Sequence, residues 1–183
     1  MNYDWIAFFS QTGSEIYNII SQTKKFPVAV ITNRQDDEGL NLLLKQMRDE
    51  GKFLWIVLSK NPEEKEYKKV LKPYKNPLIT LHGYLRIIPK SICKKYKIYN
   101  LHPGLITHYP ELRGKDPQIR AIKAGHKIAG AVIHKVIPEV DEGEVISSHA
   151  VNIQYLSETE IFDKLRALGS ILWYNFFNSY EHR

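Results

Sequence analysis

Apolar residues in this 183-residue chain come in short runs, separated by stretches with helical spacing. The runs at 5–10, 28–32, 53–58, 78–81, 98–101, 128–136 and 144–151 predict strands. Residues 14–23, 37–50 and 62–74 repeat their apolar positions at helical spacing. A further helix is predicted over 117–124, where Asp116 can act as N-cap and Pro117 takes the first helical position. The last spans about 157–180, opened by Ser157-Glu158-Thr159-Glu160, a capping-box pattern. Strands that alternate with helices and are apolar without interruption predict an α/β protein with a mostly parallel central sheet and helices on both faces. No internal repeat or low-complexity linker divides the chain, so residues 1–183 are expected to form a single domain.

That architecture directs attention to the carboxyl ends of the strands, outside which open α/β sheets bind their ligands. Four such places stand out: SQTGSE (10–15), LHGYLRIIP (81–89), NLHPG (100–104) and the turn IPEVDEG (137–143). Asn100 and His102 are two apart, so on an extended strand both side chains leave from one face. An amide and an imidazole projecting together suit the hydrogen bonding of one oxygen from two directions. When an acyl group is attacked its oxygen gains negative charge, and donors placed in advance stabilise it most. Acyl transfer to an amine also needs a proton removed from nitrogen. Histidine does this near neutral pH, and a carboxylate can orient it or raise its pKa. Asp141, in a Gly-containing turn between two late strands, is the candidate carboxylate. Taken singly these residues also read as a structural strand-end histidine and an ordinary turn. No HExxH, Cys/His cluster or close histidine spacing points to a metal, and no GxSxG elbow points to a serine nucleophile.

Composition changes the picture little. Apolar residues make up 43% and charged residues 25%, ordinary globular values. Cys93 is the single cysteine, which excludes an internal disulfide or a CxxC site. No apolar run is long enough to span a bilayer, and MNYDWIAFFS reads as a first strand and not as a leader; a cytoplasmic protein with no membrane partner is expected. The net charge of +6 reflects lysines at Lys24-Lys25, Lys65/Lys68/Lys69 and Lys94-Lys95-Lys97. They read as a solvated surface or as a field attracting anions. No aromatic-interleaved basic stripe accompanies them, so no nucleic-acid partner is expected.

The segments YNLHPGLITHYPELRGKDP (99–117) and AGAVIHKVIPEVDEGEVISS (129–148) together resemble the active-site region of the 10-formyltetrahydrofolate-dependent formyltransferases. That family carries an Asn-x-His-Pro/Gly segment followed by an Asp-x-Gly-x-Ile/Val-Ile turn, and the likeness is good over about residues 80–153. TNRQDDEGL (32–40) looks like the glycinamide ribonucleotide branch. The resemblance implies a Rossmann-like formyltransferase fold and a single catalytic domain. It also implies transfer of a formyl group from 10-formyltetrahydrofolate to a primary amine, with glycinamide ribonucleotide the nearest named acceptor and no metal. By the same likeness Asn100 and His102 polarise the formyl carbonyl and Asp141 shuttles the proton. Leu85, Arg86 and Ile87 would line the pterin pocket largely through backbone groups, facing a wall from Val136 to Val140 that includes Glu139. His134 matches a histidine common in that branch, and a satisfied strand histidine is its other reading. Arg113-Gly114 would brace the site or take part in it.

The chain departs from the ribonucleotide branch in three places. Where that branch cradles a phosphate in a Gly-x-Gly-Ser-Asn loop at a helix N-terminus, this sequence has Gln11-Thr12-Gly13-Ser14-Glu15. Thr12, Gly13 and Ser14 could still hold a phosphate, or Thr12 and Glu15 could close a capping box that uses the same donors. The loop RGKDPQIRAIKAG resembles the Arg-Gly-x-x-Pro loop of methionyl-tRNA and sugar formyltransferases and of formyltetrahydrofolate hydrolases. Gly169 falls about where an acidic substrate contact is expected. A chain ending after the last helix is expected to lack the further domains of those relatives. A hydrolase, a formyltransferase for another amine such as an amino sugar, and an inactive fold binding nucleic acid through its basic surface are the alternatives.

Overall fold

The computed structural model describes residues 3–180. In chain order the elements are β1 (Trp5–Phe9), α1 (Ser14–Thr23), β2 (Ala29–Thr32), α2 (Leu42–Asp49), β3 (Leu54–Val57), α3 (Glu64–Leu71), β4 (Leu78–His82), α4 (Lys90–Lys95), β5 (Lys97–His102), a 3-10 turn (Pro110–Leu112), α5 (Pro117–Lys123), β6 (Ile128–Lys135), β7 (Val145–Asn152) and α6 (Glu158–Tyr180). The seven strands form a mostly parallel sheet in the order β3-β2-β1-β4-β5-β6-β7. Contacts group the chain into two compact units, one ending at Tyr99 and one beginning at Asn100.

In the first unit β1 pairs in parallel with β2 and β4, and β2 with β3. The chain therefore winds outward from β1 to β3, returns through α3 to β4 and continues in the opposite direction. Right-handed crossovers put α1 and α2 on one face of this sheet and α3 and α4 on the other. All five residues of β1 and all five of β4 are buried, which explains why both read as unbroken apolar runs. β3 is the edge: Leu54 and Val57 remain 61% and 51% exposed, so it gains less from burial than its neighbours. The carboxyl ends of β1 and β4 are tied by the Ser10 N–H, which donates to the Gly83 carbonyl at 3.2 Å.

In the second unit β6 and β7 form an antiparallel pair with a register shift at Ile133/His134. α6 buries Ile161, Leu165 and Leu168 against Ala129 and Ile153. It approaches β5 so closely at Gly169 that a Cβ there would lie 2.7 Å from Leu101 Cδ2. Ser157 and Glu160 form the expected capping box: the Glu160 carboxylate accepts from the Ser157 N–H at 2.8 Å, and the Ser157 hydroxyl accepts from the Glu160 N–H at 3.3 Å.

α1 keeps its predicted bounds and α5 ends one residue early, while α2 and α3 are shorter than predicted. α2 begins at Leu42 and not at 37, because Gly39 adopts φ 68° and Asn41 caps the Leu44 N–H at 2.9 Å. Asp37 turns outward to Arg48, with oxygen–nitrogen distances of 2.7 and 2.9 Å. α4 was absent from the predicted elements; its six residues bury only Ile92 and Cys93, too short a repeat to register as a periodicity. α1 starts from Gly13 in the left-handed conformation, with no side-chain cap. Thr12 is therefore not the N-cap, and the capping box read at 12–15 does not set the start of this helix. Among the described residues no helix is long and apolar enough to cross a membrane.

Candidate active site

The site in the second unit starts from the period of β5. Leu101 faces Gly169 of α6, so Asn100 and His102 leave from the opposite face. His102 is 4% exposed. Beyond it the chain must pass very close to the ring: a Cβ at Gly104 would lie 2.7 Å from His102 Nε2 and 2.8 Å from Pro117 Cβ. Only glycine permits that path. The loop then anchors itself by burying Ile106 and Leu112 against Ala121 and Val132. This delivers the Leu112 carbonyl to His102 Nε2 at 2.9 Å.

Asp141 arrives from the turn after β6, in a left-handed conformation with φ 55°. Such a backbone costs a non-glycine residue of order 1–3 kcal/mol and persists only where its surroundings over-determine it. The surroundings here are explicit. The Gly114 N–H donates to Asp141 Oδ2 at 2.8 Å, the same oxygen lies 3.2 Å from His102 Nδ1, and Oδ1 lies 3.3 Å from His134 Nε2. The register shift at Ile133/His134 is where β6 turns its last residues toward this turn. Asn100 Nδ2 lies 3.2 Å from His134 Nε2, completing a cluster of four side chains.

Hydrogen-bond chemistry fixes the protons. Backbone carbonyls only accept. His102 Nε2 must therefore carry hydrogen toward Leu112, and His134 Nδ1 must carry hydrogen toward the Lys135 carbonyl at 3.1 Å. When both rings are neutral, each turns an unprotonated nitrogen toward the Asp141 carboxylate. One added proton converts a pair of facing acceptors into a charge-assisted hydrogen bond. Burial opposes that addition and lowers the pKa of His102, against Asp141 and the Leu112 carbonyl, which raise it; His134 and Arg120 lower it further. Burial pushes the Asp141 carboxyl up, but His134, His102 and the Gly114 N–H outweigh it and hold the group below the usual carboxylate range. At the His102–Asp141 contact an ionised carboxylate thus faces a ring that burial keeps from its second proton.

The structure thus gathers Asn100, His102 and Asp141 around His134, although Asp141 is far from the other two in sequence. The sequence reads His134 as a satisfied strand histidine or a branch feature; the structure puts its Nε2 between the Asn100 amide and the Asp141 carboxylate. Gly114, and not Arg113, touches the cluster, through its backbone. The Leu112 carbonyl was not legible in the sequence, because any residue supplies that atom. Of the predicted wall, Val136 is half-buried, and Glu139 and Val140 are exposed. Among the described residues no group of three His, Cys, Asp or Glu side chains is placed to hold a metal ion.

The first unit carries the remaining predicted residues. Leu85 and Ile87 are 61% and 75% exposed, apolar side chains presented beyond the end of β4. The Leu85 N–H already donates to the Ser10 hydroxyl at 2.9 Å, and Arg86 Nε donates to the Lys60 carbonyl at 2.9 Å. At the start of α1 the Thr12 and Ser14 hydroxyls lie 2.9 Å apart, and the Ser14 N–H donates to Thr12 Oγ1 at 3.3 Å. Glu15 Oε2 meets His82 Nδ1 at 3.0 Å. The loop donors at Thr12 and Ser14 are thus partly engaged, with a carboxylate beside them.

The histidine–carboxylate cluster lies at a strand's carboxyl end, where open α/β sheets bind their ligands. The Formyl transferase family model matches residues 5–173, and the chain belongs to that family. It is 29% identical over 160 residues to the trifunctional purine biosynthetic protein adenosine-3 of Gallus gallus, covering 81% of this chain and 15% of that protein. It is 38% identical over 78 residues to the phosphoribosylglycinamide formyltransferase of Bacillus subtilis, covering 42% of this chain and 38% of that one. The chain thus spans well under half the length of either relative. The crystal structure of phosphoribosylglycinamide formyltransferase from Anaplasma phagocytophilum superposes with a TM-score of 0.81 at 24% identity, over 96% of this chain and 85% of that one, a likeness of fold.

Proposed function

We propose that the protein is a folate-dependent formyltransferase, moving a formyl group from 10-formyltetrahydrofolate to a primary amine, with glycinamide ribonucleotide the nearest named acceptor. The observation that carries this reading is the cluster at the end of β5, where the Asp141 carboxylate lies 3.2 Å from His102 Nδ1 and 3.3 Å from His134 Nε2. Family membership supports the formyl chemistry, and the cluster supplies what that chemistry requires.

In this reading the Asn100 amide, oriented by His134, and the His102 Nε2–H donate to the formyl oxygen as it gains charge. A donor so placed is worth about 100- to 1000-fold in rate. The formyl oxygen must displace the Leu112 carbonyl from His102, and an oxygen carrying full negative charge is the stronger acceptor of the two. The proton leaving the amine enters the proton-poor contact between His102 Nδ1 and Asp141, and departs from there to the folate nitrogen. The exposed apolar side chains of Leu85 and Ile87 offer surface to the pterin, and the main chain of Leu85, Arg86 and Ile87 is the proposed contact. Val136, Glu139 and Val140 offer surface from the turn that carries Asp141. Thr12, Gly13 and Ser14 are the proposed acceptor-phosphate contacts. The setting is cytoplasmic and the partners small molecules, with no nucleic acid or membrane among them.

The test is an acceptor screen with 10-formyltetrahydrofolate as donor, following tetrahydrofolate released per amine. Strict dependence on an amine is expected. Release at the same rate with no amine present would replace transfer by hydrolysis.

A further inference from the structure

Two backbone groups of one short loop serve the cluster: the Leu112 carbonyl accepts from His102, and the Gly114 N–H donates to Asp141. The carbonyls that alternate with these groups point elsewhere. Arg120, in the last turn of α5, donates through Nη1 to the Glu111 carbonyl at 2.6 Å and through Nη2 to the Arg113 carbonyl at 2.5 Å. A planar guanidinium holding carbonyls two residues apart fixes the rotation of the peptides between them. Fixing the carbonyls of 111 and 113 leaves the carbonyl of 112 and the N–H of 114 facing the cluster.

The route of the loop does not depend on this contact. Leu112 and Ile106 are 1% and 5% exposed within their apolar cluster, and Tyr109 packs edge-on against His126 with ring centroids 3.8 Å apart. What Arg120 adds is peptide orientation. It does so although its Nε is buried with no hydrogen-bond partner, a cost that a loop anchored by apolar side chains alone would not require.

We propose that Arg120 is a positioning residue for the His102–Asp141 pair, its two Nη groups holding the Glu111 and Arg113 carbonyls so that Leu112 and Gly114 present their backbone groups to the two side chains. This rests on the reading of that pair as the reacting one, and the experiment separates the two claims. Four groups face the His102 ring: Asp141 from the turn, His134 from β6, the Leu112 carbonyl from the loop, and Arg120 from α5, whose charge disfavours a protonated ring. Arg120→Lys keeps the charge but cannot bridge two carbonyls; Arg120→Met removes both.

The full chain, with histidine isotopically labelled, is titrated by NMR, and the His102 signal is identified by its loss in His102→Gln. In Arg120→Lys the His102 midpoint should fall by about half a pH unit, because the carbonyl favouring the protonated ring is no longer held while the repelling charge stays. Arg120→Met should lie above the lysine variant, that charge being gone. Turnover should fall about tenfold in both variants, with KM for the amine nearly unchanged, as expected when reacting groups are held slightly out of place. A lysine variant with the parent midpoint and parent turnover overturns the proposal. If the parent protein transfers no formyl group, the proposed function fails, while the ring titration still decides whether Arg120 sets the loop.

Discussion

Two parallel strands in this molecule end in a polar residue, one intervening residue and a histidine. β4 ends Thr80-Leu81-His82, and β5 ends Asn100-Leu101-His102. Each histidine is nearly buried and meets a distant carboxylate, His82 with Glu15 at 3.0 Å and His102 with Asp141 at 3.2 Å. Their other nitrogens separate them. Trp5 Nε1–H donates to Thr80 Oγ1, and the same oxygen meets His82 Nε2, each at 2.7 Å. When the hydroxyl donates to Nε2, the His82 proton sits on Nδ1, facing the Glu15 carboxylate. Both His82 nitrogens thus meet side chains, and the chain of contacts is a brace. His102 is held instead by a backbone carbonyl, so its remaining nitrogen and the carboxylate compete for a proton that neither holds. The same motif gives a ring held by two side chains in one unit and a ring held by a backbone carbonyl and a carboxylate in the other.

The sharpest way to break this comparison is to remove each histidine in turn. His102→Gln should lower formyl transfer by about 100- to 1000-fold with little loss of folded structure by circular dichroism. His82→Gln should leave turnover within a few-fold while costing about 1–3 kcal/mol in denaturant unfolding, because it disturbs fully buried partners at Thr80 and Trp5. Equal loss of turnover in both variants would erase the distinction. Next in size is Gly104→Ala, whose new methyl would press on His102 Nε2 and Pro117; a loss of about tenfold in turnover is expected, with a stability cost of about 1–3 kcal/mol. Parent kinetics for that variant would mean that the ring has room to move.

Smaller again is Glu15→Asn, which removes a carboxylate from the first turn of α1. Affinity for a phosphorylated amine should rise about two- to fivefold, measured as KM or by calorimetry. Unchanged affinity would place the phosphate away from this loop. The smallest effect is on stability against pH. The folded pKa of His102 is depressed, so its contribution is present above the unfolded value, about 6.5, and lost as pH falls through the folded one. His102→Gln should flatten the fall in unfolding midpoint across that window. Asp37, held by Arg48 against a smaller opposing effect of burial, has its pKa lowered to about 2, so its contribution fades only between about 4 and 2. A titration of the carboxyl carbons reads Asp37, and the unfolding midpoint against pH reads His102.

Much of this was legible in the chain. Seven strands appear as seven short runs, unbroken in β1 and β4 because burial on both faces demands it, while the edge strands β3 and β7 stay largely exposed. Asn100 and His102 announce themselves through a two-residue spacing on a strand that stops at Pro103-Gly104, and the Asp141 turn through its glycine. α4 escaped because six residues carry too few apolar positions, and α2 was drawn too long because acidic residues at 36–38 suit a first helical turn as well as the loop they form. Glu15 shows the same ambiguity: its spacing from Thr12 spells a capping box, but Gly13 sets the helix start and His82 takes the carboxylate.

Pattern and composition by themselves determined the layering of strand and helix, the ends at which chemistry could sit, and the side chains able to perform it. Those properties are local, since each follows from a residue and its near neighbours along the chain. Which nitrogen of which ring carries a hydrogen was decided only by the folded chain, because the Leu112 and Lys135 carbonyls that settle it are atoms every residue has. The difference between a brace at His82 and a proton-poor cluster at His102 is therefore a difference of partners in space, set by the packing of loops whose sequences say nothing of it.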